Sequence, residues 1–185
     1  MARGRITVIQ GCMFSGKSER VVGQLRAARE EGRRVVAFKH ASDDRYAAGQ
    51  IVTHSGQRID AVPVRDPNRI LDLTADASLI AIDEAQFFGD ELVDVCRTLA
   101  AQGRDVIVAG LDLDSWGLPF GPMPGVAAIA DEVVTTHGVC ARCGSIADHT
   151  QRLTPVAGQT MIGGPESYEP RCAACFEPPP AELRR

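Results

Sequence analysis

Residues Gly11 to Ser18 read GCMFSGKS, the G-x-x-x-x-G-K-S spacing of a phosphate-binding loop. Each residue type has a task there. Glycines let the backbone bend and approach an anion. Backbone N–H groups at the start of the next helix point at the phosphates, and the helix dipole favours negative charge at that end. Lys17 would lie along the β- and γ-phosphates, and the Ser18 hydroxyl would ligate Mg²⁺. The alternative is a chance glycine-rich turn. Against it stand the β-branched run before the loop, the helical spacing after it, and the scarcity of lysine, since Lys17 and Lys39 are the only two among 20 basic residues.

A second chemical stretch lies at Asp83-Glu84-Ala85-Gln86, which closes the apolar run Ser78–Ile82. An acid at a strand end is the usual other half of a phosphate-loop site, placing Asp83 near the Mg²⁺ shell, often through water. Acids also end strands for no chemical reason; the loop upstream favours the functional reading. The third stretch is C-terminal. Cys140-x-x-Cys143 and Cys172-x-x-Cys175 form two knuckles, each offering two thiolates to a tetrahedral ion. With all four positions cysteine no site is open to water, so the ion implied is a structural zinc. A thioredoxin-type redox role would suit one pair and fits two poorly. Cys12 and Cys96 stand alone, Cys96 as a small core residue.

These residues need a scaffold, and the hydrophobic pattern supplies one. Ile6–Ile9 reads as a strand and Glu19–Gly32 as a helix with Val21, Val22, Leu25 and Ala28 on one face and Gly32 as its C-terminal cap. Val35–Phe38 is a second strand, giving a right-handed βαβ unit with parallel strands. His40–Gln57 is a loop or ragged hairpin, Ile59–Val64 a short strand, and Pro67–Leu73 a short helix with Asp66 as cap. After the Ser78–Ile82 strand come a helix at Asp90–Gln102, a strand at Asp105–Ala109, an irregular Gly- and Pro-rich stretch at Gly110–Gly125, a helical turn at Val126–Ile129 and a last strand at Glu132–Thr136. The stretch Gly144–Arg171 shows little apolar periodicity and reads as a long loop whose closure the metal offsets. The tail EPPPAELRR is expected to fray.

The chain is an α/β protein of 185 residues with a formal charge of −4. That balance argues against a nucleic-acid-coating surface. No apolar run approaches the roughly 18–20 residues of a membrane span, and the N-terminus runs straight into the phosphate loop, which speaks against a signal peptide. A cytoplasmic location follows as the default, with neither membrane nor nucleic acid as a partner. Two function classes fit the motifs. One is phosphoryl transfer, with ATP on the loop, Mg²⁺ held by Ser18 and Asp83, and Glu84 as base toward an acceptor hydroxyl. The other is a nucleic-acid motor ATPase of DExx type, in which Glu84 would orient water. Such motors need a second ATPase lobe, for which this chain has no room.

The segments GCMFSGKS, FKHASDDRYAAGQIVTHSG, AIDEAQFF, GLDLDSWGLPFGP and CARC…MIGGPESYEPRCAAC occur in this order. Together they resemble the cellular-type (type II) thymidine kinases, from about Ile6 to Phe176. The resemblance implies a RecA-like P-loop parallel sheet with flanking helices over residues 1–136. It also implies a small zinc-binding domain over 137–178 whose lasso loop closes over thymidine, and a flexible tail at 179–185. The nucleotide would contact Gly11, Cys12, Met13, Phe14, Ser15, Gly16, Lys17 and Ser18, together with Asp83, Glu84, Ala85 and Gln86. Glu84 would abstract the 5′-hydroxyl proton. Arg45 would sit near the phosphoryl acceptor, supported by Asp43. Met13, Phe87, Leu111 and Phe120 would pack around the base, and Thr150, Arg152, Ile162, Gly163 and Tyr168 would belong to the lasso. Members are homotetramers inhibited by dTTP. The chain departs from the family pattern at Ser115-Trp116, where an aromatic and a basic residue are usual, and after Ser18, where Glu19-Arg20 replace Thr-Glu. Trp116 is the candidate to replace the lost pocket aromatic. His54 and His149 are read as surface or core histidines.

Overall fold

The computed structural model describes residues 2–43, 49–53, 55–74, 76–155 and 163–184. In chain order the elements are β1 (Ile6–Gly11), α1 (Lys17–Glu30), β2 (Val35–His40), β3 (Gln50–Val52), β4 (Arg58–Asp60), β5 (Val62–Val64), α2 (Arg69–Asp72) and β6 (Leu79–Asp83). A 3₁₀ turn at Ala85–Phe87 leads to α3 (Glu91–Ala101), β7 (Asp105–Gly110), α4 (Met123–Ile129) and β8 (Glu132–Thr136). The C-terminal part holds β9 (Gly138–Val139), β10 (Ile146–Ala147), β11 (His149–Arg152) and β12 (Tyr168–Arg171).

Six strands make one sheet in the order β5-β2-β6-β7-β1-β8, with every neighbouring pair parallel. The strand that carries the phosphate loop and the strand that ends in Asp83 are separated by β7 alone, as the expected RecA-like layout requires. Alternation along each strand feeds two cores. Ile80 and Ile82 of β6 and Val106 and Val108 of β7 pack with Leu92, Val95 and Leu99 of α3 on one face. Ala81, Ile107 and Ala109 pack with Val21, Val22 and Leu25 of α1 on the other. Because β6 is covered on both sides it is buried throughout, which is why its sequence is a continuous apolar run. No helix among the described residues is long and apolar enough to cross a membrane.

The structure corrects several expectations. Helix α1 begins at Lys17, two residues before the expected Glu19, so Lys17 and Ser18 sit in its first turn. The anticipated strand Ile59–Val64 is two strands. Arg58–Asp60 pairs antiparallel with β3, whereas Val62–Val64 pairs parallel with β2 at the sheet's outer edge. Pro63 explains the placement, since a residue without an N–H is tolerated where no further strand needs one. Helix α4 starts inside the stretch read as irregular, with proline in its first turn, where an N–H has no helical partner to lose. Gly144–Arg171 is not a plain loop: β11 and β12 form an antiparallel ribbon from His149↔Arg171 to Arg152↔Tyr168. Its strands are short and polar, and Thr150, Gln151 and Arg152 are nonetheless buried, so no hydrophobic alternation marks them. The tail is docked rather than frayed. It forms a 3₁₀ turn at Ala181–Leu183 and hydrogen-bonds to Trp116 and Asp114.

Candidate active site

The phosphate loop is held by its neighbours before any ligand is considered. Gly11 has φ 142°, and a Cβ there would lie 2.2 Å from the Thr136 carbonyl of β8, so only glycine fits. The Ser15 hydroxyl donates to the Cys12 carbonyl at 2.7 Å and lies 2.7 Å from the Thr136 hydroxyl. Phe14 adopts φ 61°, a left-handed conformation unusual for a bulky residue. The Lys17 ammonium donates to the carbonyls of Gly11 at 3.0 Å and Cys12 at 2.6 Å. Burial lowers its pKa, opposed by the charges of Glu84, Cys12 and Asp83. A cation held under a ring of backbone groups can neutralise a phosphate chain.

The acid end meets the loop directly. Ser18 Oγ donates to Asp83 Oδ2 at 3.2 Å, and the Glu84 backbone N–H donates to Asp83 Oδ1 at 2.9 Å. Burial, reinforced by the neighbouring Glu84 charge, pushes the Asp83 carboxyl up to about 7. A hydroxyl touching a buried carboxyl is a ready pair of oxygen ligands for Mg²⁺. Glu84 itself sits at φ 54°, ψ 39°, a strained conformation for a residue with a side chain. Gln86 holds it there. Its Nε2 donates to Glu84 Oε2 at 2.6 Å while its Oε1 accepts from the Leu111 N–H at 3.0 Å.

A single pocket joins these groups to an apolar end. Met13 through Ser18 form its phosphate side, with Asp83, Glu84 and Gln86 at the C-terminal end of β6. Phe87 and Phe120 meet edge to face at 5.9 Å and, with Leu111, wall the far side. The ribbon contributes Thr150, whose Oγ1 accepts the Met13 N–H at 3.0 Å, and Gly163 and Tyr168 close the rim. Among the expected site residues, Gly11, Cys12, Ala85 and Arg152 do not line this pocket. The Cys12 thiol instead donates to the Ala147 carbonyl at 3.4 Å and packs against Cys140. Arg152 is buried in the ribbon and donates to the Pro155 carbonyl at 3.1 Å. Arg45, Ile162 and His54 lie outside the described residues.

Sequence reasoning missed part of the wall. Lys39, which pairs at 3.1 Å with the expected site residue Asp43 in a buried ion pair, lines the pocket, as do Gln50, Ile51 and Val52 of β3. Lys39 was legible in principle, because the C-terminal ends of parallel strands are where such sheets bind ligands. Glu19, Asp114 and Ser115 also line it. Trp116 does not. Its indole N–H donates to the Pro180 carbonyl at 3.1 Å, so it faces the tail and leaves the position of the lost aromatic to Ser115.

The four paired cysteines converge, with their sulfur atoms within 4.8 Å of one another and Cys143 and Cys172 3.6 Å apart. A tetrahedral zinc with bonds of about 2.3 Å needs sulfurs about 3.8 Å apart. The donor set therefore fits zinc. Burial opposes ionisation of Cys140, but backbone N–H groups of Cys172, Cys143 and Arg142 outweigh it and draw the thiol down to about 6.

Comparison with known proteins agrees with this geometry. The thymidine kinase family model matches residues 4–176. The thymidine kinase of Bacteroides fragilis is 44% identical over 175 residues, covering 95% of this chain and 88% of that protein. That of Rhodothermus sp. is 46% identical over 176 residues, covering 95% and 83%. That of Coprothermobacter proteolyticus is 47% identical over 184 residues, covering 95% and 92%. Among solved structures, the flagellar accessory protein FlaH of Methanocaldococcus jannaschii shares the fold, with TM-score 0.53 at 12% identity over 80% of this chain and 77% of that one. Matched along nearly its whole length, and spanning more than four-fifths of these relatives, the chain belongs to the thymidine kinase family.

Proposed function

We propose that this kinase transfers the γ-phosphate of ATP to the 5′-hydroxyl of thymidine, giving dTMP and ADP. The observation that carries the reading is the single pocket running from Lys17 past Glu84 to the Phe87–Phe120 wall. A charged donor and an uncharged nucleoside can then meet end to end. Glu84, steadied by Gln86, accepts the 5′-hydroxyl proton as that oxygen bonds to the γ-phosphorus and the bond to the β-phosphate oxygen breaks. Lys17 holds the phosphate chain and offsets its charge. Ser18 and Asp83 would hold Mg²⁺, which when bound neutralises charge on the β- and γ-oxygens.

On this reading residues 1–136 bind the donor, while 137–178 form a flap that the four cysteines fix through zinc. Gly163, Tyr168 and Thr150, with Ile162, read the base edge, where an unmet buried hydrogen bond is costly and so discriminates strongly. Arg45 serves the acceptor end. Closure keeps out water that would otherwise take the phosphoryl group. The family resemblance further supports a cytoplasmic homotetramer inhibited by dTTP, which light scattering and inhibition assays check. The DExx motor reading is set aside by the family match. The test is direct: purified enzyme with Mg-ATP should convert thymidine to dTMP. Nucleotide hydrolysis with no product from thymidine would overturn the proposal.

A further inference from the structure

The C-terminal strap, Phe176 to Arg184, lies against the back of the nucleoside end, and the reaction proposed above assigns it no task. Four contacts tie it down. Gln151 of β11 grips Glu177 twice, donating from Nε2 to its carbonyl and accepting its N–H at Oε1, each at 2.8 Å. The Phe176 ring lies 4.4 Å from that of His149. Beyond them the Pro180 carbonyl accepts the Trp116 indole N–H. Arg184 donates from Nε to Asp114 Oδ2 at 2.9 Å, and its second nitrogen lies 2.8 Å from the same oxygen.

Asp114 is where the strap meets the site. Its side chain is wholly buried, at 0% exposure, and it lines the pocket. Its Oδ1 accepts the N–H groups of Trp116 at 2.9 Å and Leu118 at 3.1 Å, folding the loop that carries Ser115 and leads to Phe120. A carboxylate so deep is stabilised by a counter-charge, and losing a cation that sits on it is costly. The strap supplies one, Arg184. The strap thus links both walls of the nucleoside end, the loop through Asp114 and the ribbon through Gln151. Residue Thr150, next to Gln151, reaches the phosphate loop.

We infer that the strap is a positioning element for the acceptor nucleoside, with Arg184 acting through Asp114 to set the loop that walls the pocket. The inference rests on the thymidine kinase reading. Because thymidine is uncharged and the donor end is built from other elements, the effect falls on the nucleoside and not on ATP.

Two variants test it, Arg184→Met and Arg184→Lys, together with a chain ending at Pro178. Trp116 is the sole tryptophan, so its emission reports strap docking independently of activity. The expected result is a KM for thymidine raised about tenfold in Arg184→Met and at least as much in the shortened chain. The KM for ATP should stay within about twofold, and Trp116 emission should shift to the red. Arg184→Lys should recover much of both. Unchanged thymidine KM in Arg184→Met and in the shortened chain would overturn the inference, and so would equal rises in both KM values. If the shortened chain does not fold, the two point variants decide alone. Failure of the underlying reading looks different: the unaltered enzyme would then yield no dTMP at all.

Discussion

The two ends of the pocket are built on different physical plans. At the donor end the groups sit on the tips of two parallel strands, β1 and β6, that flank β7, and on the first turn of α1, fixed by a sheet buried on both faces. At the acceptor end they sit on a ribbon, a loop and a strap, held by a cysteine cluster, an ion pair on the buried Asp114 and side-chain hydrogen bonds. The first end is rigid because the core is. The second is rigid only as long as each fastening holds, so it can be loosened one fastening at a time.

Glu84 stands where the two ends meet, and replacing it should have the largest effect. Glu84→Gln keeps the shape and removes the base, so kcat should fall about 10²- to 10⁴-fold while ATP affinity is retained. Near-normal turnover would remove the proton-acceptor role. Next comes Cys143→Ser, which attacks a fastening of the acceptor end alone. About one zinc per chain should be found in the unaltered protein and little in the variant, with a thymidine KM raised one to two orders of magnitude and ATP affinity little changed. Zinc content near zero in fully reduced protein would refute the metal. Equal damage to ATP binding would show that the ends are not separable.

The same division explains what the sequence disclosed. The phosphate loop, the acid at the end of β6 and the cysteine pairs were legible because each is a local pattern whose spacing carries its chemistry. The alternating two-faced sheet was legible for the same reason, being written strand by strand. What stayed hidden depends on partners far apart in the chain. Nothing near Asp114 announces that Arg184 neutralises it, and nothing in HTQR announces a buried strand whose Thr150 braces the phosphate loop. Trp116 misled because its size suits a pocket wall, while its indole N–H needed an acceptor and found one on the strap. Pro63 was a signal not used: it already excluded one continuous strand inside the sheet.

A pH titration probes the donor end. With its pKa raised to about 7, Asp83 holds a proton below that pH, and Mg²⁺ must displace it to bind. Affinity should therefore rise with pH, about fivefold from pH 6 to pH 7 and about twofold more to pH 8. Metal binding measured by calorimetry should show the matching proton release. Affinity independent of pH over that range would mean that Asp83 is already ionised or is not a ligand.

The smallest effect belongs to Ser115. Its hydroxyl oxygen is buried and has no hydrogen-bond partner among the described residues, in a loop that lines the nucleoside end. An orphaned buried hydroxyl costs about 1 kcal/mol or more, so Ser115→Ala should raise the melting temperature of the ligand-free enzyme by about 2–4 °C. Kinetics then separates two reasons for keeping a costly group. If the hydroxyl serves a polar edge of the base, the variant's KM should rise about two- to threefold for thymidine and for deoxyuridine alike, because they differ only at the 5-methyl. If the serine matters only as vacated space, Ser115→Ala should leave both unchanged, whereas Ser115→Phe should penalise thymidine more than deoxyuridine, since the methyl then meets the ring. A melting temperature lowered by Ser115→Ala would show instead that the hydroxyl is satisfied in solution and is itself one more fastening of the acceptor end.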